Sequence, residues 1–352
     1  MKKLIFAALA IAAMAACTKS NVEFDQTDEI AFQPVSQKAT KAAVTGNYYP
    51  IDDIYNFNVW AWWADKDANT DDNQISAFNT VYINDQTFDN RDYVNWGGLG
   101  KAYYWPTTGS LFFAGYSPAN APGSKGYLHG EKKFILTGYE QSTNIAQTTD
   151  LMWFHLTDVS YDRNTTAVPV QFHHALSWLS FRFNLEQPYT PTDWTVKSVK
   201  LTGIETKGNF SAEKTGTHAE QGKAEWSEWT ETKEVPVYSS ETGYQVKYVT
   251  NDIDFSSTVQ DPSILENTWN GVLVLPQSCA PTAAQVVIEF QQVAPSEEIV
   301  PQTKTLNLGD ATDAWLPGKH YIYTITFGAE EILIAPTVVD WTKVDDLAVP
   351  VE

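Results

Sequence analysis

The sequence predicts an all-β protein built of antiparallel sandwiches, and three observations predict it. Short apolar runs bounded by Gly, Pro, Asn and Asp recur along the chain, and no window carries a convincing amphipathic helix. Aromatic residues make up 13% of the chain and charged residues 19%, which leaves ample apolar area for packed cores and too little charge for a disordered chain.

The first segment reads as an export signal. Lys2-Lys3 precede an apolar stretch, Leu4 to Ala13, that is too short to span a bilayer, and Met14-Ala15-Ala16-Cys17 is a small-residue cleavage site with a thiol directly after it. That is the pattern of a bacterial lipoprotein signal over residues 1–16; an ordinary secretory signal beside a chance cysteine is the alternative. Acylation of Cys17 by more than one chain would anchor the protein stably in the outer membrane, so it is expected to work outside the cytoplasm. Removing residues 1–16 takes away Lys2 and Lys3 and moves the formal charge from -20 to -22, a surface that repels nucleic acid and acidic lipid. The other cysteine is Cys279. With Cys17 acylated no intramolecular disulfide can form, and the fold must rest on burial.

Residues 18–28 read as a polar tether, followed by an isolated strand, Ile30-Ala31-Phe32, and a second polar stretch from Ser36 to Lys41. Strand signals then recur at Phe57-Val59-Ala61, Leu111 to Ala114, Phe134 to Leu136, Val168 to Phe172, Leu179-Phe181-Phe183, Val196 to Ile204, Tyr244 to Val249, Val272 to Leu275, Val286 to Phe290 and Tyr321 to Phe327. The polar run Asp162 to Thr166 marks a boundary between an N-terminal sandwich over 42–166 and a C-terminal sandwich over 167–330. In the closing segment 331–352, Ile332 to Trp341 reads as extended, and Leu347, Val349 and Val351 alternate so that all three share one face.

No pattern points to catalysis, a cofactor or a metal. The chain has no Gly-x-Ser-x-Gly, no His-Glu-x-x-His and no phosphate-cradling glycine loop. Adjacent residues on a strand face opposite ways, so His173-His174 cannot chelate together and read as structural. The acidic loop Asp65 to Asp71 has oxygen side chains at calcium-loop spacing, but Thr70 and Ser76 stand where the glycine and the glutamate are needed. Among the tryptophans, Trp60 and Trp62 share a face and Trp63 opposes them, while Trp226 and Trp229 sit in a hydrophilic stretch read as a loop; core packing is favoured over a sugar platform.

A set of strand-edge patterns in fixed order carries a family resemblance. These are Tyr104-Trp105-Pro106, Ser110 to Pro118, Asp150-Leu151-Met152, Val170 to Phe181 with His173-His174 inside it, Val274-Leu275-Pro276-Gln277, and Trp315 to Tyr323. With the lipoprotein signal they resemble the fimbrillins, the subunits of type V pili and their lipoprotein relatives. The resemblance implies two tandem transthyretin-like sandwiches and a role as a structural subunit rather than an enzyme. It also implies cleavage by an Arg- or Lys-specific protease after the first strand, here after Lys41 and before Ala42, which removes Ile30 and Phe32 and opens a groove. A C-terminal strand of the neighbouring subunit then fills the groove by edge pairing, with Ile332, Ile334, Val338, Leu347, Val349 and Val351 as the donor residues. The alternative for Ile332 to Trp341 is the last strand of the C-terminal sandwich. Another class of function, a surface-anchored module that never polymerises and binds a glycan or a host ligand, keeps its first strand.

Cys17→Ala is expected to abolish incorporation of a labelled fatty acid; equal label on the variant would rule out acylation at this thiol.

Overall fold

The computed structural model describes residues 24–34, 56–65, 78–90, 95–144, 148–160, 167–186, 193–213, 223–246, 272–279, 283–293, 299–328 and 332–340. Among them lie twenty strands and no α-helix. The first half holds β1 (Phe24–Glu29), β2 (Phe32–Pro34), β3 (Phe57–Ala64), β4 (Thr80–Asn90), β5 (Trp96–Gly98), β6 (Tyr104–Pro106), β7 (Ser110–Ser117), β8 (Ser124–Leu128), β9 (Lys133–Glu140), β10 (Met152–Val159), β11 (Val168–Val170) and β12 (His173–His174). The second holds β13 (Ser177–Leu185), β14 (Asp193–Glu213), β15 (Lys223–Gln245), β16 (Val272–Val274), β17 (Gln285–Val293), β18 (Ile299–Asn307), β19 (Lys319–Phe327) and β20 (Ile332–Asp340).

One eight-stranded sheet, ordered β11-β2-β5-β4-β3-β7-β10-β12, dominates the first sandwich. Strand alternation divides its aromatic residues between two faces. Trp60, Trp62, Phe112, Tyr116 and Trp153 face β9 and the far end of β14, where they pack with Phe134, Phe210 and Trp226. Phe57, Val59, Phe88, Phe113 and Phe154 face the other way, and there the sheet folds over itself, so that Phe32 of β2, Trp96 of β5 and Val168 and Val170 of β11 close a separate core. Burial on both faces explains why β3 and β7 are apolar almost throughout.

The second sandwich packs the sheet β16-β13-β19-β20 against β18, β17 and the near end of β14. Its core gathers Phe181, Phe183, Trp194, Val199, Ile288, Phe290, Trp315, Tyr323 and Phe327. The β13–β19 pairing is parallel, as is β11–β2, so the sheets are not purely antiparallel.

β14 is 21 residues long and belongs to both sandwiches. Asp193 to Thr202 pair with β17, Lys207 to Glu213 pair with β9, and β15 runs along the other edge for nearly the whole length. The stretch containing Trp226 and Trp229 is therefore strand and not loop; pairing against β14 outweighs its hydrophilic composition, because one face of β15 stays in water. The boundary expected at 166/167 falls between strands of one sheet. The chain leaves the eight-stranded sheet for the β16-β13-β19-β20 sheet between His174 and Ser177.

Gly203 sits where β14 passes from one sandwich to the other, with φ +69 and the Ala283 carbonyl directly over the position a Cβ would take. Gly203→Ala combines a left-handed backbone with a collision against main chain, and is expected to cost about 2 kcal/mol or more of stability, read as a lowered denaturation midpoint. An unchanged midpoint would mean that the crossing is not constrained there.

Candidate functional site

Residues 24–28, read from the sequence as the end of a polar tether, belong to β1, because β1 finds a partner in β6. Ile30 and Ala31 link β1 to β2 rather than forming a strand with Phe32. Together this first segment occupies a seat built by elements far apart in sequence. β1 pairs with β6, the Ile30 amide donates to the Tyr103 carbonyl at 2.7 Å, and the Val168 amide donates to the Ala31 carbonyl at 2.8 Å. β2 then lies parallel to β11 and touches β5 at one residue pair, Phe32 with Trp96. Backbone ties are few. The side chains go deep: Ile30 and Phe32 are both fully buried. The Phe32 ring meets Phe57, Phe88 and Phe113 edge-on, with centroids 5.8, 4.9 and 5.2 Å away, and Phe154 lies at 6.3 Å. Edge-to-face contacts at these separations are the favourable arrangement for aromatic pairs.

Sequence reasoning identifies Ile30 and Phe32 as the inward residues of this segment but not the four phenylalanines around them. Each of the four carries a signal, being an apolar residue in a strand, but which strands meet is decided by sheet curvature. Cys17, Lys41, Ala42, Leu347, Val349 and Val351 lie outside the described residues, as does the acidic loop beyond Asp65.

Ile332, Ile334 and Val338 lie on β20. This strand pairs antiparallel with β19 without a register break, from Phe327 with Ile332 to Lys319 with Asp340, and Ile332 and Ile334 pack against the second core. The run is extended, and its partner is the chain's own sheet.

The histidines divide as strand alternation requires. His174 Nδ1 faces Asp150 Oδ2, while His173 lies against Trp153 with ring centroids 5.1 Å apart. Burial, with His174 alongside, lowers the His173 pKa to about 4. His320 stacks on Trp178 at 3.7 Å and shares a hydrogen bond with Ser180 Oγ at 2.8 Å; burial, helped by Arg182, lowers its pKa to about 3. No group of three or more His, Cys, Asp or Glu among the described residues is arranged to hold a metal. Cys279 is buried, and its thiol is pushed up to about 12 by that burial, so it is a packing residue. Trp60, Trp62 and Trp226 are core residues, and Trp229 is 40% exposed.

Known proteins share this fold. A fimbrillin-like family model matches residues 40–341, and the chain belongs to that family. Among solved structures, a fimbrial protein from Bacteroides vulgatus is 14% identical, with 89% of this chain and 99% of that one covered and a TM-score of 0.53, so the fold is shared. A fimbrial assembly protein from Parabacteroides distasonis (11% identity, 89% and 97% covered, TM-score 0.40) and the C-terminally truncated tip fimbrial protein Mfa3 from Porphyromonas gingivalis (8% identity, 89% and 98% covered, TM-score 0.40) are also similar. No curated protein matches.

The half-buried His173 and His320 are expected to give a pH dependence. Their folded pKa values lie below the unfolded value of about 6.5, so the unfolded chain binds more protons between pH 6.5 and 4, and stability falls as pH falls through that window. At pH 5 each of His173 and His320 is expected to cost up to about 2 kcal/mol relative to pH 7, read by denaturant titration. A midpoint constant from pH 7 to 5 would show that both imidazoles are protonated as easily in the fold as out of it.

Proposed function

We propose that this chain is a structural subunit of a type V pilus, exported as a lipoprotein through Cys17 and processed after Lys41. Loss of the first strand then opens its seat to a strand from a neighbouring subunit. The observation that carries this reading is the first strand itself: two fully buried side chains held by few backbone bonds, upstream of a polar Lys-containing stretch. A short strand of this kind is removable once cut, and the seat it leaves offers both unpaired backbone and an apolar slot.

The donor is the end of the chain. Because β20 is tied to β19 along its full length, the donor role is assigned to residues 342–352, in which Leu347, Val349 and Val351 alternate in sequence. A chain with both a cut site and a donor tail suits a stalk position, since a tip subunit need not donate and an anchor need not be cut. Its partners would then be other pilus subunits and an Arg- or Lys-specific protease.

Protein recovered from cells is expected to begin at Ala42, and deletion of residues 342–352 to abolish polymer ladders with no fall in the melting temperature. A blocked Cys17 terminus, or ladders formed without the tail, would refute this assembly route. A truncated chain that melts early would instead place the tail in its own sandwich.

A further inference from the structure

The seat of β2 discriminates by shape at one point. Phe57, Phe88, Phe113 and Phe154 come from four different strands, β3, β4, β7 and β10, and together they enclose a single ring, that of Phe32. Ile30, two residues earlier, fills the adjoining buried position. The occupant is therefore read as an aliphatic residue, a spacer and an aromatic residue. Backbone bonds are the same for every strand and cannot choose between them: β1 pairs with β6, and β2 is matched to β11 over three residue pairs and to β5 over one. Selection falls to the side chains.

In the closing segment that pattern occurs at Val339-Asp340-Trp341 and not in residues 342–352. Past Phe327 the only aromatic residue is Trp341, which directly follows Asp340, the last residue of β20. Seating Trp341 in a neighbour, with Val339 at the Ile30 position, would strip Val339 and Asp340 from their pairs with His320 and Lys319. Residues 342–352 offer Leu347-Ala348-Val349 instead, with valine where a ring is enclosed. Valine in a site shaped for phenylalanine leaves a void that the closely packed rings around it cannot collapse to fill.

We propose that the pocket left by Phe32 is a specificity site that selects an incoming strand with an aliphatic-x-aromatic pattern. A strand that brings Leu347-Ala348-Val349 to this pocket then fills it less well than one that brings a ring. The proposal rests on the reading that the first strand is cut away and replaced.

The test uses the mature full-length chain with a specific protease site placed between Lys38 and Ala42, cut so that the first strand stays bound non-covalently. Four labelled peptides compete for the seat: residues 24–38, residues 342–352, and residues 342–352 carrying either Val349→Phe or Ala348→Phe. The 24–38 peptide and the Val349→Phe peptide are expected to bind at least about tenfold more tightly than the unmodified tail. Ala348→Phe, which turns its ring to the opposite face, is expected to give no gain. A tail peptide as tight as its Val349→Phe form, or an equal gain from Ala348→Phe, would overturn the specificity site while leaving strand acceptance intact. Failure of the 24–38 peptide to exchange at all would overturn strand acceptance, and the specificity site with it.

Discussion

A strand paired along both edges cannot slip without breaking two ladders at once, and β14 is such a strand for most of its length. Its near half supplies Trp194, Val196, Val199, Leu201 and Ile204 to the second core, and its far half supplies Phe210 and Ala212 to the first. A shift of one residue would turn both sets toward water. The register of the two sandwiches is thus a single quantity. The bulges along β14 and the left-handed Gly203 let the strand change partners from β17 to β9 while keeping each set inward.

That arrangement decides which part of the molecule is expendable. The first sandwich has two cores, one on each face of its large sheet, and β14 closes only one of them. The other is closed by β2, β5 and β11, of which β2 contributes the central ring. Taking β2 away uncovers the Phe57, Phe88, Phe113 and Phe154 cluster but leaves the β14 core and the whole second sandwich untouched. Local opening of this kind costs far less than global unfolding, because only one cluster of side chains meets water. The proposed loss of the first strand would therefore disturb one core and leave the other two in place, provided that something covers the exposed rings.

Much of this was legible in the sequence, and the illegible part has a physical cause. The alternation at Phe57-Val59-Ala61, the run from Leu179 to Phe183 and the apolar Tyr321 to Phe327 each announce a strand, because a buried strand has little freedom in composition. The stretch from Lys223 to Gln245 does not. Most of its side chains remain in water, so its extended form is imposed by β14 and not by its own residues. The burial of Ile30 and Phe32 could be expected from an isolated apolar pair between polar stretches. Their aromatic surroundings could not, since these depend on an eight-stranded sheet curling until β2 faces β3, β4, β7 and β10.

The same curl explains why a few residues would control the proposed assembly. In a flat sheet an added strand gains mainly from its ladder of backbone bonds, which any sequence can supply, and edge pairing is then promiscuous. Here the sheet meets itself, the ladder next to β2 is short, and most of what holds the strand is apolar surface removed from water on Ile30 and Phe32. Replacing backbone pairing by side-chain burial as the principal attraction turns a general tendency of sheet edges into recognition of particular residues, because a void beside close-packed rings is costly and a backbone bond is the same for every strand.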